Sequence, residues 1–421
     1  MTALALGSSP PPTGWDASRR AAILTTERLS ASRASQEWHT QVPVRRALTP
    51  RRKDTTKRSP DSPAPVGAAR QQNVERVTIR DVAQQAGVSL GTASNVLNHP
   101  HRVAPETQAR VLEVIERLGF VRSSAAHQMG GGHSRCFGAV VLDASNPFST
   151  ETIRGLEDAV HEQGCAVVVC STDGSPEREA RYLHLLEEQR VQGIVITPAT
   201  RSIRHLETLR DRGTLVVLLD RKSNHGELCS VSVDHARGAE LAGRHLFELG
   251  HSRIAFINGP LRLSQCAERR RGVRRAAKLA GLDPAVSIVE YTIDPITAFE
   301  QAESAVEQIL EIPDRPTAVI CLNDQIAFAV LRALAERRVR VPRDMSVVGC
   351  DDVDFAAMVS PALTSIRQPK YELGRAAAEL LIAETVDPHH RHGDIRFEPE
   401  LIERQSTTAR ARLNRYSPRG A

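Results

Sequence analysis

The stretch VTIRDVAQQAGVSLGTASNVLN, residues 77–98, sets hydroxyl and amide side chains among apolar residues spaced as in two short helices. Thr78 can cap a helix whose apolar positions Ile79, Val82, Ala83 and Ala86 fall at helical spacing. Gly87 breaks that helix, and Ser89 starts a second one containing Ala93, Val96 and Leu97. Two short helices joined through a glycine-containing turn read as a helix-turn-helix, with Ala83 and Val88 small enough for a close crossing. The second helix then offers Leu90, Gly91, Thr92 and Asn95 to the major groove, with Thr78, Ser89 and Asn98 completing the contact set. Asn95 carries the amide needed for a bidentate pair with adenine or a phosphate contact, whereas Gly91 supplies no side chain. An ordinary αα-hairpin has the same periodicity, so spacing alone leaves both readings open.

The elements that must hold this pair follow directly. The stretch NHPHRVAPETQARVLEVIERLGF predicts a loop and then a third helix: Pro105 suits its first turn, Glu106 favours its N-terminus, and Val111, Leu112, Ile115 and Leu118 share a face. Val103 and Phe120 close a small core. From Phe137 onward, short β-branched runs (FGAVVLD, CAVVVCS, GIVITPA, LVVLLD) alternate with helical segments around 153–163, 177–188 and 203–212. A second set, RIAFING, SIVEY, AVICLN and MSVVGCD, alternates with helices around 269–280, 298–310 and 326–336. That order predicts βαβ crossovers, a mainly parallel sheet in each of two α/β lobes, and a ligand held at the strand ends between them. The glycines at 130–132 follow no strand and make no GxGxxG nucleotide fingerprint.

At 421 residues the chain is long enough for two or three domains. Residues 1–70 carry 12 Arg or Lys against 5 Asp or Glu and are rich in Pro, Ser and Thr, which reads as a disordered basic extension. The part beyond residue 135 is mildly acidic, so basic charge gathers at the end expected to meet phosphate. No apolar run is long enough to span a membrane, and the opening residues make no secretory leader, which points to the cytoplasm. All seven cysteines lie beyond the helix-turn-helix and none forms a CxxC pair. Buried free thiols are therefore expected, with no metal site, no disulfide framework and no cofactor.

The headpiece resembles the DNA-binding segment of the LacI family of bacterial transcription regulators, in its threonine start, its AGVS turn and its VLN close. The likeness extends through SNPF at 145–148, DR at 220–221, VD followed by Gly238, and LGHSRIAFING at 249–259. It continues through ND at 323–324 and GCDD to SPALTSIRQP at 349–369, so that it spans roughly residues 76–405. The resemblance implies a two-lobed core like the periplasmic sugar-binding proteins, a homodimer, and a pseudopalindromic operator in double-stranded DNA. It also implies a hinge helix that enters the minor groove, in which Ser123 caps, Ala126 supports the helix, and Met129 replaces the usual leucine wedge. The corresponding division is an extension over 1–75, a head over 76–121, a hinge and linker over 122–135, a core over 136–407 and a tail over 408–421. Within the core, lobe 1 is expected over 136–250 and 368–388, and lobe 2 over 251–366 and 394–407, with a final strand near 395–401 rejoining lobe 2.

The same comparison implies effector contacts from Asn146, Phe148, Asp220, Arg221, Arg269, Asn323, Asp351 and Gln368. Carboxylates, guanidinium groups and amides can each make two oriented hydrogen bonds to neighbouring hydroxyls, and Phe148 can cover an apolar sugar face. This set resembles that of ribose-type receptors, so a pentose or related polyol leads, with a phosphorylated sugar, nucleoside or hexose as other effectors. Each residue also has a plainer use: Asp220–Arg221 as an internal salt bridge, Asn323–Asp324 as a helix cap, Phe148 as core. Ser149, His235 and Cys350 depart from the family's usual residues, as do Gly91, Asn95 and the long extension. That extension adds nonspecific DNA affinity, serves another role, or reflects a start codon placed too far upstream. The function implied is a ligand-controlled regulator, more often a repressor, and no nucleophile–base arrangement marks an enzyme. The rival reading is a cytoplasmic sugar-sensing module whose head no longer reads DNA.

Overall fold

The computed structural model describes residues 77–121, 134–223, 226–294, 298–387 and 389–410. The hinge positions Ser123, Ala126 and Met129, the extension, and the last eleven residues lie outside the described residues.

The head is three helices, α1 (Ile79–Gln85), α2 (Leu90–Asn98) and α3 (Pro105–Leu118). Thr78 closes a capping box on α1: its hydroxyl accepts from the Asp81 N–H, and its own N–H donates to the Asp81 carboxylate at 2.7 Å. Gly87 then takes a left-handed backbone, φ +63°, and the Val88 N–H bonds the Ala83 carbonyl at 3.0 Å. Ser89 caps α2 by accepting from the Thr92 N–H at 3.0 Å. Val82, Ala86, Val96, Val111 and Val114 are buried together, with Val88, Val103, Ile115, Leu118 and Phe120 packed against them. The core is small, so each methyl group in it counts.

Beyond the head the chain builds two sheets. The first lobe contains β1 (Cys136–Val141), α4 (Pro147–His161), β2 (Ala166–Ser171), α5 (Pro176–Glu188), β3 (Gly193–Ile196), α6 (Arg204–Asp211), β4 (Leu215–Leu219) and β5 (Cys229–Val233). The second lobe contains α7 (His235–Glu248), β6 (Ile254–Asn258), α8 (Ser264–Leu279), α9 (Pro284–Ser287), β7 (Ile288–Thr292) and α10 (Ala298–Glu311). It continues with β8 (Ala318–Cys321), α11 (Asp324–Glu336), β9 (Ser346–Asp351) and β10 (Thr364–Arg367). The chain closes with α12 (Lys370–Val386), β11 (Asp394–Phe397) and β12 (Glu400–Ile402). The sheet orders are β11-β5-β4-β3-β1-β2 and β12-β10-β9-β8-β6-β7, parallel throughout except where β12 runs antiparallel to β10.

The lobe boundaries differ from the expected ones in two places. Helix α7 packs on α8 and on β10, so the first crossing precedes residue 235 and not residue 251. The stretch expected as one strand of lobe 2 is two strands: β11 pairs with β5 in the first sheet, and β12 with β10 in the second. Buried Pro399 lies between them, and a residue with no N–H and a fixed φ interrupts a continuous ladder. Three connections therefore cross between the lobes, near 234, 368 and 398.

Each lobe is braced by a helix pair in close contact. In the first, α12 lies on α4, and a Cβ at Gly374 would collide with the Thr152 carbonyl. In the second, a Cβ at Gly272 on α8 would collide with the Ala236 carbonyl on α7. Among the described residues no helix is long and apolar enough to cross a membrane.

Candidate functional site

The carboxyl ends of the strands of both lobes face one cleft of about 1100 Å3, counting its open mouth. Behind β1 come Leu142, Asp143, Ser145, Asn146, Phe148 and Ser149; β3 contributes Thr197 and β4 contributes Asp220. From the other side come Leu263, Gln265, Cys266 and Arg269 on and before α8, Phe299 on α10, and Leu322, Asn323, Gln325 and Ile326 after β8. Asp351, at the end of β9, completes the wall. Six of the eight residues expected to hold an effector therefore line one space: Asn146, Phe148, Asp220, Arg269, Asn323 and Asp351.

Three of these are ionisable side chains withdrawn from water. Asp220 has a left-handed backbone, φ 57°, and its carboxylate lies 2.6 Å from Nε2 of buried His235. Burial pushes the Asp220 carboxyl up, but the charge and hydrogen bond of His235, with Arg269, outweigh it and hold the group below its usual range. Asp351 goes the other way. Burial raises it, Arg269 pulls back, and the carboxylates of Asp324 and Asp220 push it further up. Gln368 donates from Nε2 to Asp351 Oδ1 at 2.7 Å. Arg269 is buried and would lose basicity by burial alone, yet Cys350, Asp351, Cys266 and Asp220 around it keep it firmly protonated. Its Nη1 donates to the Leu322 carbonyl at 3.0 Å, while Nε is buried with no partner. An arginine with an unmet donor beside the cleft is poised for a ligand oxygen.

Asn146 is a helix cap that the sequence reading did not name, and Asn323 is the cap its plainer reading expected. Each caps a helix, accepting at 2.9 Å from the N–H of Phe148 and of Ile326 respectively. The cap uses the carbonyl oxygen, and the amide nitrogen remains for the cleft. Asp324 is structural: its carboxylate accepts from the Val353 N–H at 2.9 Å and from the Ser365 hydroxyl at 2.6 Å.

Arg221 and Gln368 do not line the cleft. The Arg221 guanidinium is taken up by the carbonyls of Thr200, at 2.6 Å, and Arg201. That anchored loop sends the Arg201 side chain to the Leu261 carbonyl of the other lobe, at 2.7 Å and 3.0 Å. Arg262 to the Gly174 carbonyl, at 3.3 Å, and Gln325 to the Ser145 carbonyl, at 3.4 Å, also join the lobes. Arg221 thus positions a bridge between lobes, and Gln368 supports Asp351 from behind. The sequence position was informative for both, but it carries no direction for a side chain.

Several wall residues were not singled out from sequence, among them Asp143, Thr197, Gln265 and Gln325. Thr197 immediately follows its strand, a signal that was available. Phe299 and Gln265 sit on helices, where nothing local marks them. His235, noted only as a departure, is the buried partner of Asp220. Of the cysteines, Cys229, Cys266, Cys321 and Cys350 are buried free thiols, whereas Cys136, Cys165 and Cys170 are only half-buried.

On the head, Ser89, Leu90, Gly91 and Asn98 are exposed, and Thr92 and Asn95 are half-buried on the same helix. Leu90 leaves 45% of its surface open, an apolar side chain that packing within the head does not use. The Ser89 and Thr92 hydroxyls lie 2.9 Å apart, and Asn98 donates to the Ser94 hydroxyl at 3.1 Å. Thr78 is exposed at the start of α1, its hydroxyl engaged with Asp81.

Residues 78–123 match the model of bacterial regulatory proteins of the lacI family, and residues 244–407 match a periplasmic binding protein-like domain. The HTH-type transcriptional repressor PurR of Aliivibrio salmonicida is 33% identical over 330 residues, 78% of this chain and 98% of that protein. The chain belongs to the LacI family. A PurR repressor of Aliivibrio fischeri is 34% identical over 339 residues, covering 79% of this chain and 99% of its own. Among solved structures, the lac repressor dimer bound to operator and the anti-inducer ONPF matches with a TM-score of 0.68 at 26% identity, over 80% of this chain and 100% of that one. A LacI family regulator from Enterococcus faecium with bound ribose matches at 0.60 and 28% identity, over 65% and 99%. As a LacI-family member the chain is a DNA-binding transcription regulator with a ligand-binding core.

Proposed function

We propose that this chain is a cytoplasmic, homodimeric transcriptional repressor that reads a pseudopalindromic operator and answers to a small carbohydrate-like effector, a pentose foremost. The observation that carries the reading is the cleft, where buried Asp220, Arg269 and Asp351 share a wall with the amides of Asn146 and Asn323 and the ring of Phe148. Ionic and amide groups that each make paired hydrogen bonds suit vicinal hydroxyls, and the ring suits a sugar face. Relatives crystallised with ribose, cellobiose and D-xylulofuranose support the ligand class. The relatives named repressors, and the operator-bound dimer, support the sign and the assembly.

On DNA, α2 enters the major groove, with Leu90, Thr92 and Asn95 at base edges and Thr78, Ser89 and Asn98 near the backbone. The hinge reading, with Ser123, Ala126 and Met129 in the minor groove, rests on sequence alone. A second effector class has its own support: Leu263, Phe299, Leu322 and Ile326 join Phe148 as apolar walls, which suit the flat ring of a nucleoside. Selection from a randomised DNA library, with and without panels of pentoses and nucleosides, separates these readings. A palindromic winner whose capture changes with a pentose supports the proposal. A response to nucleosides alone moves the effector class, and no selective DNA from the full chain defeats the regulator reading in favour of a sensing module.

A further inference from the structure

Cys229, His390 and His392 meet at the edge of the first sheet, and none of them lines the cleft. Cys229 opens β5, and both histidines lie just before β11, the strand paired with β5. The Cys229 sulfur is 3.1 Å from His390 Nε2 and 3.6 Å from His392 Nδ1, and all three donor atoms fall within 4.8 Å of one another. Glu384, near the end of α12, brings a carboxylate oxygen to 3.9 Å from His392 Nδ1 with only 9% of its side chain exposed. Its other oxygen, Oε2, is buried without a hydrogen-bond partner. Among the described residues no other three such side chains converge in this way.

We propose that Cys229, His390 and His392 bind a borderline-soft transition-metal ion such as Zn2+, with the Glu384 carboxylate at its side. A tetrahedral zinc with ordinary bond lengths sets a sulfur and a nitrogen about 3.6 Å apart, close to both sulfur–nitrogen distances here. Hydrogen bonding accounts for the cluster less completely. A thiol has one proton to give, and Glu384 keeps an unmet oxygen in either case. One sulfur, two imidazoles and a nearby carboxylate are a donor set for zinc-like ions and a poor one for Mg2+ or Ca2+. Metal uptake displaces the proton of the Cys229 thiol. The ion would pin the connection between α12 and β11 to the start of β5. The ligands lie 161 and 163 residues apart, which is why no spacing motif announced them and why Cys229 read as an ordinary free thiol.

The test is titration of the reduced, metal-stripped full chain with Zn2+ against a chromophoric chelator, and with Co2+ by absorption. One tight equivalent of Zn2+ per chain and a sulfur-to-cobalt charge-transfer band are expected. Cys229→Ser should abolish the band and weaken Zn2+ by more than about 100-fold, beyond the loss of an outer partner. His392→Gln, at a less buried position, should weaken it comparably while the protein keeps its native circular dichroism. Glu384→Gln should cost roughly tenfold. Cys136→Ser should change nothing. Absence of a tight equivalent overturns the proposal, as does an equivalent that survives both Cys229→Ser and His392→Gln.

Discussion

The reading head and the cleft solve opposite problems. The head keeps its working residues exposed or half-buried on a small core built around Val82, Ala86, Val96, Val111 and Val114. The cleft removes two carboxylates and a guanidinium from water and steadies them with His235, Gln368 and main-chain carbonyls. A head contact that caps no helix, such as Asn95, is therefore worth what it gains on DNA, and losing it spares the fold. A cleft contact is set within a network of buried charge, so removing one member leaves the others uncompensated. The contrast yields predictions that differ in size and in what they spare.

The largest effect is expected at the cleft. Arg269→Ala should weaken effector binding by about 3 kcal/mol, over 100-fold, because it removes the donor and the cation that offsets buried Asp220. Calorimetry reads the affinity, and operator binding without effector should survive. In the head, Val111→Ala should cost roughly 2 kcal/mol of local stability, visible as an early melting step and weaker operator binding with effector affinity unchanged. If effector binding fell with it, the two regions would not be separable. Asn95→Ala should lose about 1–3 kcal/mol on operator DNA and far less on scrambled DNA. Equal losses on both would remove it from base reading.

The smallest effect concerns pH. A buried acid held above its ordinary value of 3.8 binds a proton in the folded state that the unfolded state has released, so its cost to stability grows as pH rises from that value through the raised one. Asp351→Asn removes the cost. The variant should gain melting temperature over the wild type at pH 8 and gain little at pH 4. An equal gain at both values would mean that Asp351 is not held protonated by its surroundings.

The head was legible because its determinants are local. Thr78 with Asp81, Ser89 with Thr92, and Gly87 in the turn act over three or four residues, the range that spacing reports. The strand ends were nearly as clear, since β-branched runs mark strands and a parallel α/β lobe places its ligand at their carboxyl ends. What spacing could not report was direction and partnership. Arg221 adjoins Asp220 in the chain yet ties down the loop of Thr200 and Arg201. Pro399 splits a run of strand-like residues between two sheets, which only the paired neighbours β5 and β10 reveal. The glycines that let α4 meet α12, and α7 meet α8, sit in helical stretches, where sequence alone marks them only as weak helix formers.

In the proposed mechanism, the effector held in the cleft governs the grip of the head on DNA. Operator affinity, measured by fluorescence anisotropy with and without saturating effector in the wild type and in Arg269→Ala, tests it most directly. A change of roughly 5–150-fold is expected in the wild type, the usual span of coupling between two sites, and none in Arg269→Ala. A wild type that binds effector by calorimetry but holds operator equally well with and without it would contradict the account.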